Sequence, residues 1–483
     1  MDRQALLRAM TSVVGPAGVV HEREKLRTYE TDGLTTHRVV PSLVVIPETA
    51  EQVRDVVRLC HEHGVPFVAR GSGTGLSGGA VPVESGVLVV LSRMRRVLEV
   101  DLANQRVVVE PGVFNLSVTQ AVAPHGYQYA PDPSSQQVCS IGGNVAENSG
   151  GAHCLKYGFT TNHVTALEVV LPDGEMVHLG AKAPDPPGYD LVGAFVGSEG
   201  TLGVATKATL RILRRPETVQ TLLAAFPGTD EAGAAVSGII AAGVVPAAVE
   251  MMDALAIEAA EAAVHAGYPG AGAVLIVELD GPAPEVEHQF VEVERICRQH
   301  GSTEIRIAAD DAERALMWKG RKSAFAAVGR ISPDYYVQDG VIPRTALPEV
   351  LRAIADLARE AGIRVANVFH AGDGNLHPLV LFDGRVPGQA ERAEEVANAI
   401  LMTCLDRGGS ITGEHGVGLD KAKHMPKMFA AADLDAMQLL RCAFDPDGRC
   451  NPGKVFPTPR LCGEVPGPYR QHPMERAGVA ERF

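Results

Sequence analysis

Apolar positions change period several times along the 483 residues. After Thr49, which Gln52 can answer in a capping box, Val53, Val56, Val57 and Cys60 recur at helical spacing until Gly64 ends the run. Short apolar runs then predict strands over 65–70, 87–91 and 107–111, with a helical stretch over 115–125. Residues 164–170 and 175–179 flank Leu171-Pro172-Asp173-Gly174, whose residue types suit a hairpin turn. From residue 219, strand and helix patterns alternate over 219–226, 230–242, 247–251, 274–279, 286–300 and 304–307, which predicts an α+β region. Runs over 364–369 and 376–382 flank a turn of Gly, Asp and Asn, and predict two antiparallel strands joined by a tight loop. Residues 1–40 should be helical at first and irregular afterwards.

Gly-rich stretches break this pattern where a ligand could approach the backbone. Strand 65–70 delivers the chain into Gly71-Ser72-Gly73-Thr74-Gly75-Leu76-Ser77, where successive N–H groups can converge on anionic oxygens and Arg70, Ser72, Thr74 and Ser77 add side-chain donors. Residues 73–78 match the dinucleotide fingerprint literally, but loop and strand follow instead of a helix, and no Gly-Lys-Ser/Thr is present for a P-loop. The stretch reads as a pyrophosphate loop without a Rossmann helix; a glycine-rich surface loop with no ligand is the competing reading. The second block, 131–151, contains Pro131, Asp132, Ser135, Ile141, Gly142, Asn144, Asn148, Ser149, Gly150 and Gly151, and leads to Tyr157-Gly158. Small residues at this density let a flat ligand lie against the main chain, and Asn144, Asn148 and Ser149 can hydrogen-bond a heteroaromatic ring. Residues 197–204, with Glu199, Gly200, Gly203 and Val204, close the region.

Candidate chemistry gathers at the second hairpin. If His370 and His377 form a cross-strand pair, their Cβ atoms lie about 4.5–5.5 Å apart, close enough for two imidazoles to hold one divalent ion such as Zn, Mn or Fe. Glu414 is a third candidate ligand, and His415 beside it is left free for proton transfer. Taken alone, two histidines at this spacing are more often satisfied core or surface residues than metal ligands. The second loop shifts the balance, because Glu414-His415 is held between Gly413 and Gly416, where a backbone without Cβ can come close to a ligand.

The totals narrow the setting. This length predicts two domains, and 46% hydrophobic with 21% charged residues is the composition of a globular chain. A net charge of −14 argues against nucleic acid, which needs a basic stripe. The eight cysteines are scattered without C-x-x-C spacing, so no disulfide framework or iron–sulfur site is expected and reduced thiols in a cytoplasmic protein are the default. Residues 1–20 lack a secretory apolar region, and the longest apolar run, 238–249, is too short to span a bilayer and holds Gly243 and Pro246.

Loop 70–79, the Pro131-Asp132-Pro133-Ser134-Ser135 block with Ile141-Gly142-Gly143-Asn144, and 197–203 together resemble the FAD-binding domain of the vanillyl-alcohol-oxidase type flavoproteins. The C-terminal half, with 370–377, 413–416 and Asn451-Pro452-Gly453-Lys454, resembles their FAD-linked oxidase cap domain in the D-2-hydroxyacid dehydrogenase branch. The resemblance covers nearly the whole chain. It implies an N-terminal helical segment at 1–37, a two-part FAD-binding domain at 38–217, an α+β cap (substrate) domain at 218–457 and an extended tail at 458–483. Carried over by residue, it implies that loop 70–79 holds the FAD pyrophosphate, that 131–151 and 199–204 line the flavin, and that Asn451 approaches the ring from the cap side. His370, His377 and Glu414 would bind the metal, His415 would be the base, and Arg321, on a helical stretch from Asp311, would clamp the substrate carboxylate.

Relatives that act on larger dicarboxylic hydroxyacids have Lys where this chain has Val337, so a small monocarboxylate such as glycolate or D-lactate is expected. The first loop has no flavin-linking His, so the FAD should be non-covalent. Electrons should leave through a partner or to a quinone. The resemblance implies a complex with a second flavin-domain-like subunit and an iron–sulfur subunit, attached to the inner face of the membrane. D-lactate oxidation, metal-dependent hydrolysis and a non-catalytic FAD-binding scaffold are the rival readings.

Overall fold

In the computed structural model, which describes residues 3–183, 188–457 and 462, the helix expected after Thr49 is Ala50–Glu62. The Thr49 side chain accepts from the Gln52 N–H, while the Gln52 side chain answers to the Glu48 N–H and not to that of Thr49. Its buried Val53, Val56, Val57 and Cys60 join Leu6 and Met10 of helix Arg3–Val14 over a four-stranded sheet. The strand order there is Val19–Val20, Leu43–Val45, Val87–Val90, Phe67–Arg70, with the last three parallel. Arg70 therefore ends a parallel strand, and loop 71–79 opens where ligand crevices form in such sheets.

The second sheet is antiparallel, in the order Val97–Asp101, Arg106–Val109, Val204–Arg211, Val164–Val170, Met176–Gly180. The hairpin expected around Leu171 to Gly174 is present, closed by Gly174 N–H to Leu171 O and Leu171 N–H to Glu175 O. Helix Ile141–Glu147, capped by Ser140, packs on this sheet through Ile141 and Val145.

From Thr218 a seven-stranded antiparallel sheet takes over, in the order Glu304–Ile307, Thr218–Phe226, Ala273–Gly281, Ala248–Asp253, Arg364–His370, Asn375–Phe382, Asp334–Val337. Helices cover both faces. Thr229–Ala241, Ala283–Gln299, Leu347–Ala361 and Gln389–Asp406 bury Phe226, Val249, Met251, Phe369 and Leu376 on one side. Ala254–Val264 and Asp311–Val328 bury Met252, Val368 and Leu379 on the other. The period of two along a strand puts Glu250, His370 and His377 on this second face, under helix Asp311–Val328.

The chain then returns to its first half. Cys450 forms a bridge with Phe67, the Asn451 N–H donates to Phe67 O, and the Phe67 N–H donates to Arg449 O. The cysteine reading needs correction here: Cys442 and Cys462 form a disulfide, with Cα atoms 5.5 Å apart, a pairing that a separation of 20 residues did not signal. The expected tail otherwise lies outside the described residues. Among them, no helix is long and apolar enough to cross a membrane.

Candidate active site between the cofactor loops and the hairpin

One cavity of about 620 Å³ joins the two halves of the chain, within the range of small-molecule and cofactor sites. Arg70, Gly71, Ser72, Gly73, Thr74, Gly75 and Leu76 line it from the first loop. Ser135, Gly142, Asn144 and Ser149 line it from the second block, and Glu199, Gly200, Gly203 and Val204 from the third. Glycine is required at position 73, where φ is +71° and a Cβ would meet the Arg70 guanidinium. An Arg, side-chain hydroxyls and close-packed glycines along one wall suit an FAD pyrophosphate and a flat ring, so the residues present fit that cofactor.

Ten expected cofactor residues stand back from the wall. Ser77 O accepts from the Leu419 and Asp420 N–H groups, which fastens the loop to the C-terminal half. Asp132 is held between His153 and Lys322, Pro131 O accepts from Asn115, and Ile141 is core. Asn148 is the left-handed C-cap of helix Ile141–Glu147, and its side chain accepts from the Thr161 N–H. Gly150 and Gly151 pack closely on Phe159 and Asp132, and Tyr157, just before Gly158, donates to Asp280. Asn451, from the C-terminal segment, reaches the cofactor loops but does not line the cavity: its Nδ2 donates to Gly79 O and Glu199 O.

At the far end of the cavity His377, Glu414 and His415 reach the wall. The strand register pairs His370 with Asn375 and Val368 with His377, so the two histidines are diagonal neighbours and not directly opposite. Their rings are nevertheless 5.0 Å apart, centre to centre. Glu414 Oε1 lies 3.0 Å from His377 Nε2 and 3.4 Å from His370 Nε2. The ligand atoms of the three residues all lie within 4.8 Å of one another. Two imidazole nitrogens and a carboxylate with one side open to a cavity make a donor set that suits a catalytic divalent ion. Burial opposes charge on Glu414, but the hydrogen bonds from His370 and His377 outweigh it and hold the carboxyl well below its usual range.

Two acids that the sequence reading did not assign hold this group in place. Glu250 is the cross-strand partner of His370, and its Oε1 lies 2.8 Å from His370 Nδ1, which turns Nε2 toward Glu414. Asp339 is wholly buried and accepts from the N–H groups of Gly413 (3.0 Å) and His415 (2.8 Å), from that of Glu414, and from the Thr412 hydroxyl. His415 stacks on His377 at 5.0 Å and 12°. Burial is the main cause of its pKa being pushed down to about 4, so the ring is neutral at neutral pH and can accept a proton.

Arg321 is placed differently from the expectation. It is 1% exposed and does not line the cavity; it faces the sheet from helix Asp311–Val328, with Nη2 2.6 Å from Glu250 Oε2. Its neighbour Lys322 is on the wall, 3.3 Å from Asp132 Oδ2. Phe325, one turn on, also reaches the wall and meets the His377 ring edge-on at 5.8 Å. Tyr335, Val337 and Phe382 complete an apolar surface beside the histidines. Gly33, Leu34, Thr35 and Thr36 also line the cavity, from a stretch that offered only irregularity as a signal.

Residues 41–180 match the family described as FAD binding domain, and residues 215–455 match FAD linked oxidases, C-terminal domain. Glycolate oxidase subunit GlcD of Escherichia coli (strain K12) is 50% identical over 100% of this chain and 97% of its own length. The GlcD subunit of Bacillus subtilis (strain 168) is 39% identical over 92% of this chain and 96% of its own. A probable mitochondrial D-lactate dehydrogenase of Danio rerio is 32% identical over 86% and 84%. Among solved structures, p-cresol methylhydroxylase superposes with a TM-score of 0.79 at 17% identity, covering 94% of this chain and 96% of that one. 4-Ethylphenol oxidase from Gulosibacter chungangensis superposes equally well, at 0.79 and 19% identity over 95% and 98%; both likenesses concern the fold alone. With full-length relatives at this identity and both domains matched, the chain belongs to the FAD-linked oxidases and has the vanillyl-alcohol-oxidase fold.

Proposed function

We propose that this chain is an FAD-dependent 2-hydroxyacid dehydrogenase that oxidises glycolate to glyoxylate, with D-lactate as the second candidate substrate. The observation that carries this reading is that His377, Glu414 and His415 open into the same cavity as the cofactor loops at 70–76 and 199–204. When bound, FAD supplies the acceptor for a hydride, and a divalent ion (Zn, Mn or Fe) at His370, His377 and Glu414 supplies a Lewis acid for the substrate hydroxyl. The FAD is non-covalent on this reading, since loop 70–77 has no His to form a link.

The chain's own residues do the rest. Neutral His415 takes the hydroxyl proton at Nε2, on the Glu414 side of its ring. Lys322 on the wall supplies the cation for the substrate carboxylate, while Arg321 behind it balances the charge of Glu250. Phe325, Tyr335, Val337 and Phe382 offer no cation for a second carboxylate and leave a mainly apolar boundary, which favours an α-substituent of hydrogen or methyl. The naming of close relatives as subunits supports a chain that works in a complex, passing electrons to an iron–sulfur subunit beside a second flavin-domain-like subunit. Such a complex would be cytoplasmic and held at the inner membrane face by its partners.

Steady-state turnover with an artificial electron acceptor tests the substrate assignment. A kcat/KM for glycolate at or above that for D-lactate supports it, and the reverse order makes the chain a D-lactate dehydrogenase. The His415→Ala variant tests the scaffold alternative, because a non-catalytic subunit would keep unchanged flavin reduction.

A further inference from the structure

The loop that carries Glu414 and His415 is fastened at both ends by buried carboxylates, and the second comes from the opposite half of the chain. Asp339 holds the N–H groups of residues 413–415 from the cap side. Glu199 holds the following two residues from the cofactor side: its Oε1 accepts from the Val417 N–H and its Oε2 from the Gly418 N–H, each at 2.6 Å. Gly416 lies between the two grips with φ +84°, and a Cβ there would collide with the Glu147 carboxylate. The placement of this backbone therefore depends on both acids.

Glu199 is not an ordinary anchor. It lies in the loop that lines the cavity with Gly200, Gly203 and Val204, and it is held at φ +52°, a conformation uncommon for a residue with a side chain. That backbone is fixed on both sides, because its N–H donates to Ala146 O at 2.8 Å and its carbonyl accepts from Asn451 Nδ2 at 2.6 Å. Asn451 also donates to Gly79 O, at the end of the first cofactor loop, at 3.0 Å. One continuous set of hydrogen bonds therefore runs from the two loops that face the cofactor, through the Glu199 side chain, to the residues just after His415.

We infer that Glu199 is a positioning residue that couples FAD occupancy to the candidate metal site: ordering of loops 71–79 and 197–204 around FAD orders the 412–418 loop and so raises the affinity of His370, His377 and Glu414 for a divalent ion. The inference rests on the metal site proposed above and adds its dependence on the cofactor. Thermodynamic linkage makes the coupling reciprocal, so bound metal tightens FAD by the same factor. A coupling of this type is typically about 5–150-fold.

Mn(II) is the probe, with its Kd measured by competition against a fluorescent chelator on the full chain, FAD-loaded and stripped of FAD. Wild type should bind Mn(II) at least about 5-fold more weakly without FAD. In Glu199→Gln, one carboxylate oxygen becomes an NH2 group facing a backbone N–H, so Mn(II) affinity should fall even with FAD bound, and the dependence on FAD should be lost. Asn451→Ala, which loosens the Glu199 backbone but keeps the carboxylate, should reduce the dependence and serves if Glu199→Gln does not fold. A wild-type Kd indifferent to FAD, or variants that keep the full wild-type dependence, would overturn the inference while leaving the metal reading intact. Absence of binding of Mn(II), and of Zn(II) and Fe(II) in the same competition assay, by FAD-loaded wild type would overturn the metal reading and the inference together.

Discussion

His370 illustrates how one side chain acquires its role from its neighbours. The imidazole alone is ambiguous; the Glu250 carboxylate 2.8 Å from Nδ1 decides which nitrogen faces Glu414. Glu250 in turn needs a counter-charge, because an isolated carboxylate at 1% exposure is costly, and Arg321 supplies it. The two adjacent cations of helix Asp311–Val328 should therefore respond differently to removal. Lys322→Met should raise KM for glycolate about tenfold or more with kcat less affected, since a hydrogen bond to a charged group contributes about 1.5–3 kcal/mol. Arg321→Met should lower metal content and kcat, because it leaves Glu250 buried and unpaired. A rise in KM confined to Arg321→Met, measured alongside metal content, would restore the carboxylate-clamp role that the sequence suggested. Sequence could show the pair His370 and His377, since turn chemistry placed them at one hairpin. It could not show Glu250, which is one acid in an apolar strand until the register sets it opposite His370.

At the scale of elements, the two halves meet through a charged cluster that sequence separation concealed. His153, in the cofactor half, has Nδ1 3.0 Å from Asp132 and Nε2 3.1 Å from Glu278, on the cap sheet. Glu278 also accepts from Trp318 Nε1 and Thr221 Oγ, and Lys156 and Tyr157 both bond to Asp280 two residues on. Burial disfavours the charged ring, but Asp132 and Glu278 outweigh it and raise the His153 pKa to about 10. A raised value means that the folded state holds the proton more tightly, so this stabilisation is full below pH about 6.5, the unperturbed histidine value, and declines as pH rises toward 10. Wild type should thus lose stability over that range, while His153→Ala should be less stable at pH 6 and show a flatter pH dependence in chemical denaturation. Equal slopes for the two proteins would remove His153 from this role. The strands that carry Thr221 and Glu278 were legible from periodicity; the short helix Cys154–Tyr157 and the composition of the cluster were not, because periodicity does not say which elements become neighbours.

For the whole molecule, the organising feature is that neither half completes the site. Loop 71–79 opens at the end of a parallel strand pair, the hairpin 364–382 lies in an antiparallel sheet, and the last segment at 449–451 returns from the C-terminal half to pair with Phe67 beside the first loop. The glycine blocks made the cofactor half readable, because few other uses demand such density of small residues. Where they overreached, as at Asn148 and Tyr157, the residues serve a helix cap and a contact between the halves. Leu34 and its neighbours carried no recognisable pattern and reach the cavity only through the fold.

The most direct measurement is anaerobic mixing of the FAD-loaded protein with glycolate while the visible flavin spectrum is followed, before and after removal of divalent metal by a chelator. The account predicts rapid bleaching by glycolate, loss of bleaching on metal removal, and recovery when Zn(II) or Mn(II) is restored. Bleaching that is unaffected by complete metal removal would contradict the role given to His370, His377 and Glu414. A yellow protein bleached by neither glycolate nor D-lactate would contradict the assignment of the cavity to a small 2-hydroxy acid.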